Sequence, residues 1–149
     1  MEYNMQPINA DYIRGLVEGE GCFTFCKTDG KYIPTFCIGM HIRDRHLLIK
    51  VADYLKIHDE VYHYNPRQQK DGYKRGGSTR LMVRDAVSLK NIIVPFFYKK
   101  LIGHKGFQFK DWIERIGADP LVPERYRLIY RLYKNGFWDK PENYLYKWE

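Results

Sequence analysis

The sequence predicts an α+β fold in which helices alternate with antiparallel hairpins. Residues 22–27 alternate large apolar with small or polar side chains, and the Asp29-Gly30 pair just beyond is a strong hairpin-turn signal. Apolar residues recur at helical spacing in Leu47, Leu48, Val51, Ala52 and Leu55, and again in Val87, Leu89, Ile92 and Ile93. Read along the chain, the segments run helix, hairpin, helix, hairpin, helix.

The opening helix is Asp11 to Gly21, DYIRGLVEGEG, with Asn9 as its N-cap and Tyr12 and Ile13 opening the apolar face. Gly15 and Gly19 stand four apart and so share a face. Each costs about 1 kcal/mol against alanine inside a helix, so the pair calls for a reason. Without side chains they make a flat strip against which another helix backbone can come close. Three acids rule this stretch out as a membrane span. Gly21 ends the helix, which leaves Glu20 at the C-terminal end, where the helix dipole disfavours a carboxylate. A bound cation would relieve that conflict by taking the carboxylate together with a free terminal carbonyl. Glu18 stands on a different helical face and reads as a cap or surface acid.

The first hairpin runs from Cys22 to about His41. Phe23 and Phe25 share one face and Thr24 and Cys26 the other; Phe36, Ile38 and Met40 alternate with Thr35, Cys37 and Gly39. This is a half-buried sheet with an open surface. Asp44 to Leu55 follows as a core helix; strands flank it, which excludes a helix-turn-helix. Glu60 to Asn65 is a strand, residues 68–78 read as a mobile basic loop, and Thr79 to Val83 or Arg84 returns, with Arg80, Met82 and Arg84 facing away from Leu81 and Val83. Asp85 to Phe97 is a helix that Pro95 should break. Residues 96–105 read as a cation-dense loop, Gly106 to Ile116 as a helix, and Glu124 to Asn135 as a last amphipathic helix stopped by Gly136. The aromatic tail from Phe137 is expected to pack back, with no element assigned. No internal repeat is present.

The 149 residues suit one domain, 1–149, long enough to bury a core. A formal charge of +7 points to a polyanionic partner, and thirteen tyrosines argue against disorder. Cys22, Cys26 and Cys37, without a C-x-x-C pair, read as reduced and non-metal. No run of eighteen apolar residues occurs and residues 1–6 lack an export signal. The expected setting is intracellular, prokaryotic cytoplasm or an organelle interior.

Ile13 to Gly21 resembles the nine-residue signature of the LAGLIDADG homing endonucleases. Its leucine, glycine and closing acid–glycine pair match; Ile13 replaces leucine, Arg14 alanine, and Glu20 aspartate. Ser88 to Phe97 and Leu101 to Phe109 look like the stretch that closes that family's second hairpin and carries its pocket lysine. The resemblance spans most of residues 10–116. It implies the family's fold, with an antiparallel DNA-binding saddle. It also implies an intron-encoded nuclease that hydrolyses both strands of a long, pseudo-palindromic DNA target. A single signature implies a homodimer whose motif helices cross at the two-fold axis, with Tyr12, Gly15, Leu16 and Gly19 at the interface. Glu20 and the Gly19 carbonyl would hold Mg²⁺, with Mn²⁺ or Ca²⁺ as possible occupants of such oxygen ligands.

Lys105 aligns with the pocket lysine, with Lys99, Lys100 and His104 close by in sequence. Where the family often has a pocket glutamine, an ungapped alignment places Met40. His41, Arg43 or Arg45 would then substitute, and His41 is counted as catalytic. Thr24, Cys26, Lys31, Thr35, Cys37, His63, Asn65, Arg67, Arg80 and Arg84 are the outward candidates for DNA contact, and a one-residue slip in register would exchange them for their neighbours. The same fold also serves intron RNA splicing maturases and non-cleaving DNA-binding modules. An unrelated α+β domain with a tight helix interface is the remaining alternative.

Overall fold

Asn9 starts the first helix: its side-chain oxygen accepts the Tyr12 N–H at 2.8 Å, and α1 runs Ala10–Glu20. The computed structural model describes residues 6–58, 61–64, 67–68 and 74–148, with backbone alone for 61–64, 67–68 and 74–75. The predicted Asn65 lies outside the described residues, as do the side chains of His63 and Arg67. Ala10, Ile13 and Val17 bury one side of α1. At Gly21 φ is −88°, so no left-handed turn ends the helix there. Glycine is required because a Cβ would lie 2.6 Å from Val17 Cγ1 and 3.0 Å from its Cα.

From that junction β1 (Gly21–Thr28) runs to the turn and β2 (Lys31–His41) returns. Asp29 and Gly30 have φ of 52° and 77°, the double positive-φ turn whose twist matches the strands it joins. β3 (Val61–Tyr64) and β6 (Ser78–Val83) complete an antiparallel sheet in the order β1-β2-β6-β3. Residues expected as a loop form a short ladder between β4 (Arg67–Gln68) and β5 (Lys74–Arg75). Their few, mostly polar residues carry no alternation that would signal a strand.

Helices cover one face of the sheet. α2 (Arg45–Leu55) follows a 3-10 turn at Ile42–Asp44 and buries Leu48, Val51, Ala52 and Leu55. α3 (Ala86–Ser88), a π-turn (Leu89–Ile93) and α4 (Val94–Phe97) form one continuous helical stretch, so Pro95 does not break it where expected. The Val94 N–H bonds to the Leu89 carbonyl, five residues back. This wider turn makes room for the proline ring, which would clash in a regular helix. α5 (His104–Ala118) begins two residues earlier than its pattern suggests and takes Lys105 out of the loop. α6 (Arg127–Lys134) ends near Gly136, whose φ is 73°. Among the described residues no helix is long and apolar enough to cross a membrane.

The core gathers around Phe23. Its ring lies 5.0–5.5 Å from those of Phe36, Phe97, Phe109 and Trp112, contributed by β2, α4 and α5. Full burial of such a side chain contributes about 1.5–3 kcal/mol, so this cluster fixes how the helix layer seats on the sheet. The tail does pack back: Trp138 is buried, and Trp148 meets Phe96 edge-on at 5.1 Å.

Candidate active site and nucleic-acid face

The junction between α1 and β1 is held from α5. Lys105 Nζ donates to the Gly21 carbonyl at 2.6 Å, the Phe23 N–H donates to Gln108 Oε1 at 2.9 Å, and Trp112 Nε1 donates to the Thr24 carbonyl at 2.7 Å. Positions 105, 108 and 112 repeat at helical spacing, so one face of α5 grips the first turns of the strand. Because Phe23 gives its N–H to Gln108, the Gly19 carbonyl lacks the i+4 donor a continuing helix would supply. Glu20, the last residue of α1, is exposed. A carboxylate and the Gly19 carbonyl, left without an i+4 donor, therefore adjoin at the helix end, one residue from the carbonyl that Lys105 holds. These hard oxygen donors fit a Mg²⁺-class ion. Among the described residues, no group of three His, Cys, Asp or Glu could hold a metal.

Glu18 takes the role its helical face suggests. Its carboxylate accepts the N–H of Ile102 at 2.5 Å and that of Gly103 at 3.2 Å, which ties the segment preceding α5 to α1. On the far side of α1, Gly15 and Gly19 have nothing within 4 Å of where a Cβ would stand, and Tyr12 is 51% exposed. With half-buried Leu16 they form an open strip at positions i, i+3, i+4 and i+7, bare of side chains at the two glycines.

Strand register sorts the remaining candidates. Cys22, Thr24, Cys26, Cys37, Arg80 and Met82 share the face away from the helices, through the pairs Cys22↔Cys37, Gly39↔Arg80 and Cys37↔Met82. Lys31 lies exposed at the hairpin tip, and Arg84 is exposed just past β6. Burial, with Cys22 next to it, pushes the Cys37 thiol up to about 11, so this part of the face stays neutral. Thr35 is a correction. It shares the outward row but is fully buried, and its hydroxyl donates to the Ile33 carbonyl at 2.9 Å, so it offers nothing to a ligand.

His41 is exposed and makes a local contact. Its Nδ1 accepts the Arg43 N–H at 3.1 Å and caps the 3-10 turn, while a Cβ on Gly76 would lie 2.6 Å from its Nε2. The ring thus caps the entry into α2, and no contact joins it to Glu20 among the described residues. Met40 pairs with Thr79 on the helix side of the sheet, so the aligned position does not face the site at all. Arg80 lies on the outward row: its Nε would lie 3.8 Å from a Cβ on Gly39, the residue next to Ile38, which pairs with Gly21. Arginine on the outward row was legible as alternation, but its place opposite Gly39 needed the register. Gln108 gave no sequence signal, since its role depends on where α5 crosses β1.

The LAGLIDADG endonuclease family profile matches residues 13–116, from α1 to within α5, and the chain belongs to that family. A probable intron-encoded DNA endonuclease 1 of Mycosarcoma maydis is 41% identical over 61 residues, 38% of this chain and 23% of that protein. Among solved structures, I-GzeII in complex with its DNA target aligns at TM-score 0.58 and 22% identity, over 88% of this chain and 44% of that one. I-SmaMI bound to uncleaveable DNA aligns at 0.57 and 26%, over 86% and 44%. I-TnaI, a homing endonuclease, aligns at 0.53 and 20%, over 87% of this chain and 99% of its own. The chain thus spans under a quarter of the curated relative, under half of the first two structures, and nearly all of I-TnaI.

Proposed function

We propose that this chain is a site-specific endonuclease for double-stranded DNA that works as a homodimer with a divalent cation, Mg²⁺ in the first place. The observation that carries the proposal is the α1 terminus, where Glu20 stands exposed beside an orphan carbonyl, next to Lys105 and the outward sheet face. Two copies crossing at the Gly15–Gly19 strip would bring two Glu20 carboxylates together. Their repulsion favours cations between them. Glu20 and the Gly19 carbonyl would hold the ion, which supplies charge neutralisation at the scissile phosphate and a more acidic bound water. Lys105, held at the junction, contributes a fixed positive charge where negative charge develops on the phosphate. Arg80, across Gly39, serves the pocket in place of His41. Thr24, Cys26, Lys31 and Arg84 contact the duplex, and a two-fold assembly matches a pseudo-palindromic target.

Incubating a target-containing plasmid with Mg²⁺, and then with EDTA, tests this reading. Linear product with Mg²⁺ only, and uncut but bound DNA for Glu20→Gln, is the expected outcome. Glu20→Gln behaving like the parent, with binding and no cutting in both, would instead fit a non-cleaving module or an intron RNA maturase.

A further inference from the structure

The tail closes a second cleft, of about 460 Å³, on the helix layer between α1, α4 and the last residues. Its wall is aromatic and cationic. The Arg14 guanidinium stacks 4.3 Å from the Phe96 ring centre, and its Nε donates to the Phe96 carbonyl at 3.0 Å, so this cation is rigidly placed. Trp148 stands edge-on to Phe96, with Tyr146 at 5.6 Å from it. The one acid in the lining, Asp139, is already paired with Lys99 Nζ at 2.9 Å and with the Tyr98 hydroxyl at 2.9 Å. Lys100 and Lys147 are exposed in the same lining and meet no acid among the described residues. The Trp148 indole N–H is buried without an acceptor among the described residues.

Half-exposed rings interleaved with uncompensated cations suit one ligand chemistry, a strand whose bases stack while its phosphates lie on lysines. A duplex hides its bases and could use only the cations. A peptide would need acidic side chains at matching spacing, and nothing here selects for them. The cleft also lies on the opposite side of α1 from the glycine strip, so pairing of two copies at that strip would leave it open. We infer that this cleft binds single-stranded nucleic acid, separately from the sheet face. Lys100 and Lys147 take phosphates, Tyr146 and Trp148 take bases, and Arg14 fixes the floor. The inference does not rest on DNA cleavage.

Anisotropy titrations of the full chain with labelled rU8 and dT8, each with and without excess unlabelled duplex, test it. Lys100→Ala/Lys147→Ala should weaken both oligonucleotides about tenfold or more and reduce the salt slope by roughly 0.7 for each phosphate no longer neutralised. Tyr146→Ala should weaken them with the slope unchanged. Arg80→Ala should weaken duplex binding alone. Tighter rU8 than dT8 assigns the cleft to RNA, and the reverse assigns it to DNA. Unchanged oligonucleotide binding in the lysine variant, or full competition by duplex, would overturn the inference. Loss of plasmid cleavage with oligonucleotide binding intact would bear on the endonuclease proposal only.

Discussion

Lys105 shows how a single side chain is placed before it acts. Its ammonium is bonded to the Gly21 carbonyl, and so it sits at the end of α1 whatever the ligand. A preorganised charge of this kind contributes roughly 10²–10³ in rate. Lys105→Ala should therefore lower the cleavage rate constant by about that factor, with duplex affinity changed far less; single-turnover kinetics on a supercoiled target would measure both. The places of Glu20 at the end of α1 and of Lys105 beside it were legible because each sits inside a motif. The contact of His41 was not, because a histidine beside a motif can also cap the next turn, as its Nδ1 does. Thr35 was misplaced for a related reason. Alternation assigns a face but says nothing of what covers that face.

At the scale of elements, the helices and the DG hairpin followed from period and turn chemistry, while the ends of helices did not. Pro95 lies within a helical stretch because a π-turn precedes it, and α5 takes up residues that composition assigned to a loop. The glycine pair in α1 gives a prediction with two signs. Beyond the helix's own backbone and the adjoining residues, no atom lies within 4 Å of a Cβ at Gly15 or Gly19. Gly15→Ala and Gly19→Ala should each stabilise the isolated chain by up to about 1 kcal/mol through helix propensity. The same changes should weaken self-association, so denaturation and sedimentation will move in opposite senses. Weakened folding with unchanged association would remove the strip as an interface.

The tail has its own pH window. Bonds from Lys99 and then Tyr98 hold the Asp139 carboxyl below the usual carboxylate range. That contribution is present above the ordinary carboxylate pKa and is lost as pH falls through the lowered one. Burial and the bond to Asp139 push the Tyr98 hydroxyl up, and the same carboxylate raises Lys99. Those contributions are present below the ordinary values and are lost as pH rises through the raised ones. Hydrogen-exchange protection in residues 137–148, corrected for the intrinsic exchange rate at each pH, should accordingly be greatest around neutral pH and fall at both extremes. Asp139→Asn should abolish the acid limb.

For the molecule as a whole, charge and symmetry set the expectations. Each copy carries +7, and a pair would carry twice that over one duplex. Log affinity for duplex should fall linearly with log salt, with a slope of roughly −0.9 per phosphate neutralised. Arg80→Ala and Arg84→Ala should each flatten that slope by roughly 0.9 per copy, measured by filter binding across a salt series. A slope indifferent to both would move the duplex off the sheet face.

The grip of α5 on β1 has a consequence for heat. Lys105, Gln108 and Trp112 hold the carbonyl of Gly21, the amide of Phe23 and the carbonyl of Thr24 from a single helical face. Slackening of that one helix would release the Phe23 amide and carry the lysine away from the junction in the same motion. Warming should then silence the protein while its sheet is still whole, and cooling should restore it without any refolding of the strands.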